Sequence, residues 1–316
     1  MKVTVLSINE DTIRFIVDGI DSAFANALRR TMISEVPTMA IEDIFYYDNT
    51  SVVPDEVLAH RIGLVPLKTD LEHYRLPAEC DCKADLGCPK CRVTLSLSVK
   101  AGDERKTVYS GDLQPVDPAI TPVSPYIPLA KLAPGQSISL EAYAQLGKGH
   151  NHTKWSPVAM AIYMNAAEIK TDVATAAKCV EESPSGVILS KKDTIKVVDI
   201  QAFNRSPTCV SLLKEGTLKD RMKMDEFVFT VESTGALPPE KIVSEAVKVL
   251  NAKLEELKRK VNAGELHEEI EDFEAPTEVG RRLYSIGSGE FEEEEEGGEE
   301  GGSGTGSEPT YDEQGN

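Results

Sequence analysis

Four cysteines in the first third of the chain form its densest set of reactive side chains. They are Cys80, Cys82, Cys88 and Cys91, which lie within twelve residues. Zinc binds four thiolates tetrahedrally, and Gly87 and Pro89 allow a tight turn between the two ligand pairs. We therefore predict a structural zinc site, since four protein ligands leave no open position for a substrate. Free or redox-active cysteines are the alternative.

A second set of reactive side chains lies in the glycine-rich segment LGKGHNHTKWSPV, residues 146–158. It contains Lys148, His150, His152, Lys154 and Trp155. Imidazoles can bind metals or transfer protons, but no carboxylate lies at helical spacing from these two. The segment is therefore predicted to be a recognition loop, because loops on rigid scaffolds often carry binding residues.

Catalytic motifs are missing from the sequence. It has no P-loop, no nucleophile elbow and no HExxH. The acidic segments 264–274 and 290–316 lack the glycine-shaped DxD-type loop that would place carboxylates around two Mg²⁺ ions. We predict that the chain is not catalytic. A hydrolase or transferase with an unrecognised site is the rival interpretation.

The elements that must position these groups follow from periodicity. Residues 1–18 alternate as two short strands, and a helix is predicted over Ser22–Val36, capped by Asp21 or Ser22 and ended by Pro37. Its apolar stripe is Phe24, Leu28, Met32 and Val36, flanked by Arg29 and Arg30. A short helix is predicted from Pro54 to Ile62, and alternating strands over residues 92–101 and 227–231, with short strands and proline-broken loops over 107–167.

The most periodic segment is a long helix predicted over Pro238–Val261. Its apolar residues recur at spacings of 4, 3, 4, 3 and 4: Val243, Val247, Leu250, Leu254, Leu257 and Val261. Such a narrow stripe is typical of helix–helix packing. The pattern favours a partner helix, with packing on the chain's own sheet as the alternative.

The charge is uneven along the chain. The net charge is −19, and residues 290–316 hold eleven acids and no Lys or Arg, so the remainder carries −19 + 11 = −8. A DNA-backbone binder would need a basic face, and no apolar run approaches the roughly 18 residues that cross a membrane. We expect a soluble, intracellular (cytoplasmic) protein with an acidic disordered tail over 276–316.

Four segments together resemble the alpha-like family of RNA polymerase subunits. They are FANALRRTMISEVPTMAIEDI (24–44), LAHRIGLVPL (58–67), LGKGHNHTKWSPV (146–158) and FTVESTGALPPEKIV (229–243). The chain is similar to the larger archaeal member of this family, to the third subunit of eukaryotic RNA polymerase II and, more distantly, to the amino-terminal domain of the bacterial alpha subunit. The resemblance covers residues 1–265.

The resemblance implies an α+β fold with a discontinuous dimerisation domain, here residues 1–45 and 223–275. An inserted β-rich domain would cover 46–167 and carry the zinc loop 80–91. Residues 168–222 would form a small ferredoxin-like insert. Relatives hold an iron–sulfur cluster there, which needs three or four cysteines. Only Cys179 and Cys209 occur in this segment, so we expect no cluster, and a disulfide between them is disfavoured in a reducing cytosol.

The resemblance also implies partners. The chain would be a non-catalytic assembly subunit of a DNA-directed RNA polymerase, cytoplasmic, or nuclear if eukaryotic. It would pair with a smaller alpha-like subunit, L, and contact the small subunits N and P and the second-largest subunit, reaching nucleic acid only through the complex. The dimer interface would comprise Phe24, Leu28, Met32 and the apolar residues of the last helix. Contacts with the large subunit would comprise Arg29, Arg30, Lys148, His150, His152 and Trp155. A zinc-loop homodimer outside transcription is the alternative function.

Overall fold

The computed structural model describes residues 1–264, except 83, 85, 86, 171, 172, 184–186, 192, 193, 200–202 and 204–221. In chain order, its helices and strands are β1 (Lys2–Ile8), β2 (Thr12–Asp18), α1 (Ser22–Ser34), β3 (Pro37–Asn49), α2 (Asp55–Gly63), β4 (Arg92–Lys100), β5 (Lys106–Tyr109), β6 (Gln114–Pro115), β7 (Pro128–Leu132), β8 (Ser137–Lys148), β9 (Val158–Lys170), α3 (Val173–Glu182), β10 (Ile188–Lys191), β11 (Thr194–Val197), β12 (Met222–Ser233) and α4 (Pro239–Ala263). The mixture of helices with antiparallel sheets agrees with the predicted α+β class.

The two ends of the chain meet in a six-stranded antiparallel sheet, here called sheet A. Its strand order is β1-β2-β12-β9-β11-β10. Strand β2 pairs with β12 so that Phe15 lies opposite Phe229, and the two rings stack with centroids 5.0 Å apart. An aromatic pair of this kind adds about 0.5–1.5 kcal/mol beyond its burial. The pairing ties the N-terminal hairpin to the last strand of the described chain.

Helices α1 and α4 contribute to the core on one face of sheet A, here called the platform core. Alternate strand residues point toward the helices, as the period of two requires. The buried members are Ile13, Phe15, Val17, Ala25, Leu28, Met32, Val36, Val158, Ala161, Phe227, Phe229, Val231, Leu237, Ile242 and Ala246. At Gly235, with φ of 88°, the chain turns from β12 toward α4, and a Cβ there would lie 2.4 Å from Val123 Cγ1.

A second core lies under a four-stranded antiparallel sheet, here called sheet B, with the order β3-β8-β4-β6. Helix α2 packs on β3, and its Leu58 and Ile62 are fully buried with Leu95 and Leu97 of β4. The two-stranded sheet β5-β7 supplies Val108 and Leu129 to the same core. The predicted alternation of β4 is therefore present, with its apolar side facing inward.

Strands β3 and β9 each pair with the sheet of the neighbouring predicted domain and not with the sheet of their own. Strand β3, assigned up to residue 45 to the end domain, belongs to sheet B, whereas β9, assigned to the inserted domain, pairs with β12 in sheet A. Strands β8 and β9 are also 12 and 13 residues long, not short. Pairing on both sides stabilises extended backbone beyond what local residue preferences indicate.

The described part of segment 168–222 extends sheet A. Strand β11 pairs directly with β9, and β10 pairs with β11. Cys179 is disulfide-bonded, contrary to the expectation of a reduced thiol. Cys209 and most of the predicted ferredoxin-like insert lie outside the described residues, as does the acidic tail 276–316. No helix among the described residues is long and apolar enough to span a membrane.

Candidate metal centre and partner surfaces

The four predicted metal ligands come together in the segment between α2 and β4. A 3₁₀ turn over Pro77–Glu79 precedes Cys80, and Cys91 is buried just before β4 begins. The ligand atoms of all four cysteines lie within 4.8 Å of one another. Gly87, with φ of 77°, provides the turn between the ligand pairs, a conformation that costs glycine little.

The sulfur spacing fits a tetrahedral zinc ion. Four sulfurs held about 2.3 Å from one zinc lie about 3.8 Å from one another. The observed Sγ–Sγ distances are 3.7 Å for Cys80 and Cys88, 3.9 Å for Cys82 and Cys91, and 3.8 Å for Cys88 and Cys91. The Cys88 N–H also donates to Cys91 Sγ at 3.2 Å, which orients that ligand.

The ionisation of these thiols differs across the cluster. The backbone N–H of Lys90 lowers the pKa of Cys88 to about 7, whereas burial raises the pKa of Cys91 to about 12. Zinc binds thiolates and displaces their protons, so a bound cation would offset the cost of ionising the buried Cys91. The donor set is closed and suits a structural role.

The predicted recognition loop is anchored to the chain through its tryptophan. Trp155 is 6% exposed, and its indole Nε1 donates to the carbonyl of Gln145 at 3.2 Å. The Thr38 hydroxyl donates to the Trp155 carbonyl at 2.7 Å. This side chain therefore holds the β8–β9 loop on the chain's own strands, and its contact with a large subunit stays a prediction.

Other groups of the loop also bind within the chain. The backbone N–H of His150 donates to the carbonyl of Ser34, the last residue of α1, at 3.0 Å. Lys148 Nζ lies 3.9 Å from Oε2 of Glu35, the residue that follows α1. His152 Nδ1 accepts the backbone N–H of Lys154 and caps the 3₁₀ turn that follows. No group of metal ligands forms here among the described residues. The loop fastens β8 and β9 to the end of α1.

Two glycines carry a signal that sequence reasoning missed. A Cβ at Gly147 would lie 2.3 Å from the Trp155 ring, and one at Gly149 would lie 2.3 Å from the Ile33 carbonyl oxygen. Contacts this short do not occur in folded proteins. The spacing of glycine, glycine and tryptophan therefore indicates a loop whose two ends pack tightly on the rest of the chain, although His150–Thr153 at its tip are exposed.

The first helix buries most of its predicted interface. Asp21 caps α1 by accepting the Phe24 N–H at 2.7 Å. Leu28 and Met32 are buried in the platform core, so they are not surface residues as predicted. Phe24 is 40% exposed and remains available. Arg29 is bound to Asn26 through its guanidinium, whereas Arg30 is exposed.

The apolar stripe of α4 has two parts. In the first half, Val243 and Leu250 pack against the platform core beside the fully buried Ile242 and Ala246. In the second half, Leu254 is 59% exposed, Leu257 is 50% exposed, and Val261 is similarly exposed. The platform core therefore covers part of the first half of the stripe, whereas the described residues leave its second half exposed.

One feature of sheet B was not anticipated from the sequence. Its outer face carries Phe45 and Tyr47 from β3 and Tyr143 and Glu141 from β8. The alternation in SISLEAYAQL, residues 137–146, is the signal that could have shown it, since every second residue of a half-buried strand faces outward.

The two chain ends and their helices form one α+β platform, which is the architecture of a protein class built for assembly with a partner. Residues 14–254 match the family described as the RNA polymerase Rpb3/Rpb11 dimerisation domain. This chain belongs to that family.

Curated relatives make the assignment more specific. The chain is 36% identical over 272 residues to the DNA-directed RNA polymerase subunit Rpo3 of Methanosphaera stadtmanae, covering 84% of this chain and 100% of that protein. It is 37% identical to Rpo3 of Methanosarcina acetivorans over 81% of this chain and 97% of the relative. It is 38% identical to Rpo3 of Thermococcus kodakarensis over 79% and 93%, respectively. The predicted resemblance is confirmed.

Proposed function

We propose that this chain is the non-catalytic assembly subunit of a DNA-directed RNA polymerase and pairs with a smaller alpha-like subunit. Family membership supports the first part, since the relatives are polymerase subunits and the matched region is a dimerisation domain. The observation that carries the second part is the uncovered apolar stripe in the second half of α4.

The exposed stripe is suited to a partner helix. Complete burial of a leucine stabilises by roughly 1.5–3 kcal/mol, so covering the half-exposed Leu254 and Leu257 contributes on the order of half that amount each. Val247 and Phe24 are also exposed apolar residues. This exposed surface rests on the platform core. The residues of α1 and α4 that pack in or against that core include Leu28, Met32, Val243 and Leu250.

The two ends of the chain form the base of this surface. Sheet A joins β2 and β12, so the helix that follows each strand is anchored in one core. We assign the exposed Arg30, with Arg29 beside it, to contacts with the second-largest subunit. The small subunits N and P complete the set of partners. In this arrangement, the subunit positions the large subunits that carry out nucleotidyl transfer.

The four-cysteine loop would hold structural zinc in this assembly. Its sulfurs have tetrahedral spacing and its donor set is closed. The ion would supply a fixed cross-link between the 3₁₀ turn at Pro77–Glu79 and the start of β4. It would do so where the chain has few apolar side chains to form a core of its own.

Coexpression with an alpha-like partner, followed by size-exclusion chromatography, tests the dimer. The substitutions Leu254→Asp and Leu257→Asp together should abolish the heterodimer, because buried carboxylates without partners cost several kcal/mol. The monomer should keep its unfolding free energy, since both side chains are already half exposed.

A matched control uses two exposed alanines of the same helix. Ala252→Asp with Ala263→Asp adds the same charge to α4. These positions lie about 160° or more around the helix from Leu254, and the control should leave the heterodimer intact. Equal binding by both double variants would overturn the assignment of the interface, and a stable homodimer that ignores the partner would favour the alternative outside transcription.

A further inference from the structure

The outer face of sheet B carries an exposed group of aromatic rings around one carboxylate. Phe45 is 50% exposed and Tyr47 is 70% exposed, although both lie in strand β3. We name Phe45, Tyr47, Glu141 and Tyr143 the aromatic–carboxylate face. Exposed aromatic side chains in a contiguous patch mark interaction sites more often than isolated ones do.

Strand geometry builds this face. Phe45 lies directly opposite Glu141 in the β3–β8 register, and Asp43 lies opposite Tyr143. The register shifts between Tyr46 and Asp48, which inserts Tyr47 as an extra residue. A β-bulge of this kind re-aims a side chain, and here the Tyr47 hydroxyl reaches Glu141 on the neighbouring strand.

The carboxylate is held by phenols and not by a cation. The hydroxyls of Tyr47 and Tyr143 both donate to Glu141 Oε2, at 2.7 Å and 3.2 Å. Within the described part of the chain, Oε1 accepts no hydrogen bond and Glu141 forms no ion pair. The charge of this carboxylate is therefore oriented but not neutralised.

The rings beside Glu141 are arranged to receive a cation. Phe45 and Tyr143 meet edge to face, with centroids 5.5 Å apart and planes at 84°. The guanidinium of Arg92 already covers Tyr143 at 5.2 Å and pairs with Asp43. Phe45 and Tyr47 have no such cover in the described structure. Ring faces attract cations, and a nearby carboxylate strengthens the attraction.

Space for an incoming chain lies next to the face. An open cleft of about 430 Å³ is lined by Tyr74, Pro89, Arg92 and Tyr143, among others. It runs from the four-cysteine loop to Tyr143, which is itself part of the aromatic–carboxylate face. A protein segment lying across sheet B could therefore place one side chain in the cleft and its neighbour on Glu141.

We propose that the aromatic–carboxylate face is a docking site for a Lys- or Arg-bearing segment of another polymerase subunit. The cationic group would bind Glu141 Oε1, and its alkyl or guanidinium portion would lie against Phe45 and Tyr47. Charge complementarity decides against nucleic acid, since Glu141 and the nearby Asp48 would repel phosphates and single-strand binders need a positive groove. The proposal rests on the chain's membership of the polymerase and not on the α4 interface.

Site-specific photocrosslinking in the complete polymerase tests the site. A benzophenone amino acid replaces Phe45 in the full chain, and the captured peptide is identified by mass spectrometry. The expected product is a segment of another subunit that contains Lys or Arg at or next to the captured residue. The same probe at Tyr126, which is 80% exposed in another part of the chain, should not capture that segment.

A charge substitution then tests the role of the carboxylate. Glu141→Gln should lower the yield of that crosslink about tenfold and remove most of its dependence on salt. Glu104→Gln, an exposed carboxylate elsewhere, should change neither. Circular dichroism and urea unfolding of both variants establish that sheet B is intact.

Several outcomes overturn the proposal. These are no crosslink, capture of nucleic acid, of a second copy of this chain or of its own residues beyond 264, and a yield that Glu141→Gln leaves unchanged. If the polymerase does not assemble around this chain, the proposed function itself has failed, and size-exclusion chromatography shows this before any crosslinking.

Discussion

The four-cysteine loop and the β8–β9 loop contain the two densest sets of reactive side chains, yet they are built in opposite ways. The first brings its four sulfurs within 4.8 Å of one another. In the second, the histidines and lysines lie apart from one another, and the loop is held by hydrogen bonds to the rest of the chain around the buried Trp155. Residue types that could do chemistry therefore indicate a site only when the backbone brings their functional atoms together.

The largest expected effect is at Trp155. Truncation by Trp155→Ala should lower the unfolding free energy by about 3–5 kcal/mol, because it removes a buried aromatic side chain and leaves a cavity. Denaturant unfolding of the full chain measures this. Tyr126→Ala removes an exposed ring and should change stability by about 0.5 kcal/mol or less. A similarly small effect of Trp155→Ala would contradict the conclusion that the indole holds the β8–β9 loop on the chain.

The metal prediction separates the two loops directly. Cys82→Ser removes one sulfur of the cluster and should reduce zinc affinity by about 100-fold or more, since even residues that only support a ligand cost 10–100-fold. Metal analysis after dialysis should find one zinc per chain in the parent and none in the variant. The double substitution His150→Ala with His152→Ala should leave the zinc content unchanged. Zinc retained by Cys82→Ser would contradict the assignment.

A methyl group tests how tightly the β8–β9 loop is packed. Gly149→Ala places a Cβ 2.3 Å from the Ile33 carbonyl oxygen, and relieving that clash should cost about 1–3 kcal/mol. Gly102→Ala is the matched control, since a Cβ there meets nothing within 4 Å. Thermal or urea unfolding should show a lower unfolding free energy only for Gly149→Ala. Equal stability of the two variants would mean that the loop backbone can shift away from the new methyl group at little cost.

The smallest effect concerns Glu35, which links the β8–β9 loop to α4. Burial raises the pKa of this carboxyl, but the hydrogen bond and charge of Lys253, with the charges of Lys148 and His150, outweigh burial and lower it below 4.5. A carboxyl whose pKa is lower in the folded protein than in the unfolded chain stabilises the fold at any pH above its unfolded-state pKa. This stabilisation is lost as the pH falls through its folded-state pKa.

The substitution that tests this contribution is Glu35→Gln. Because the Lys253 side chain that pairs with Glu35 is about half exposed, solvent screens the pair, and the loss at neutral pH should be about 1 kcal/mol or less. The stability difference between the parent and Glu35→Gln, followed by urea unfolding, should vanish as the pH is lowered well below 4.5. A difference that persists in acid would show that packing, and not charge, is responsible.

The apolar stripe of α4 shows how far periodicity can be used. A spacing of 4, 3, 4, 3 and 4 identifies one side of a helix whatever covers it. It did not distinguish Val243, which packs on the platform core, from Leu254, which is exposed. Coverage depends on which turns of the helix pack against the platform core, and that core is built from segments distant in sequence.

The local features of this protein follow from its sequence alone. The four cysteines, the cap and stop of α1, the alternation of β4 and the family resemblance could all be identified there, because each depends on residue types at short spacing. Which groups face inward depends instead on the tertiary structure. Leu28, Met32 and Trp155 are buried because the helix and the loop that carry them pack on segments distant in sequence. Phe45 and Tyr47 are exposed beside Glu141 because the pairing of β3 with β8 fixes which side chains face outward.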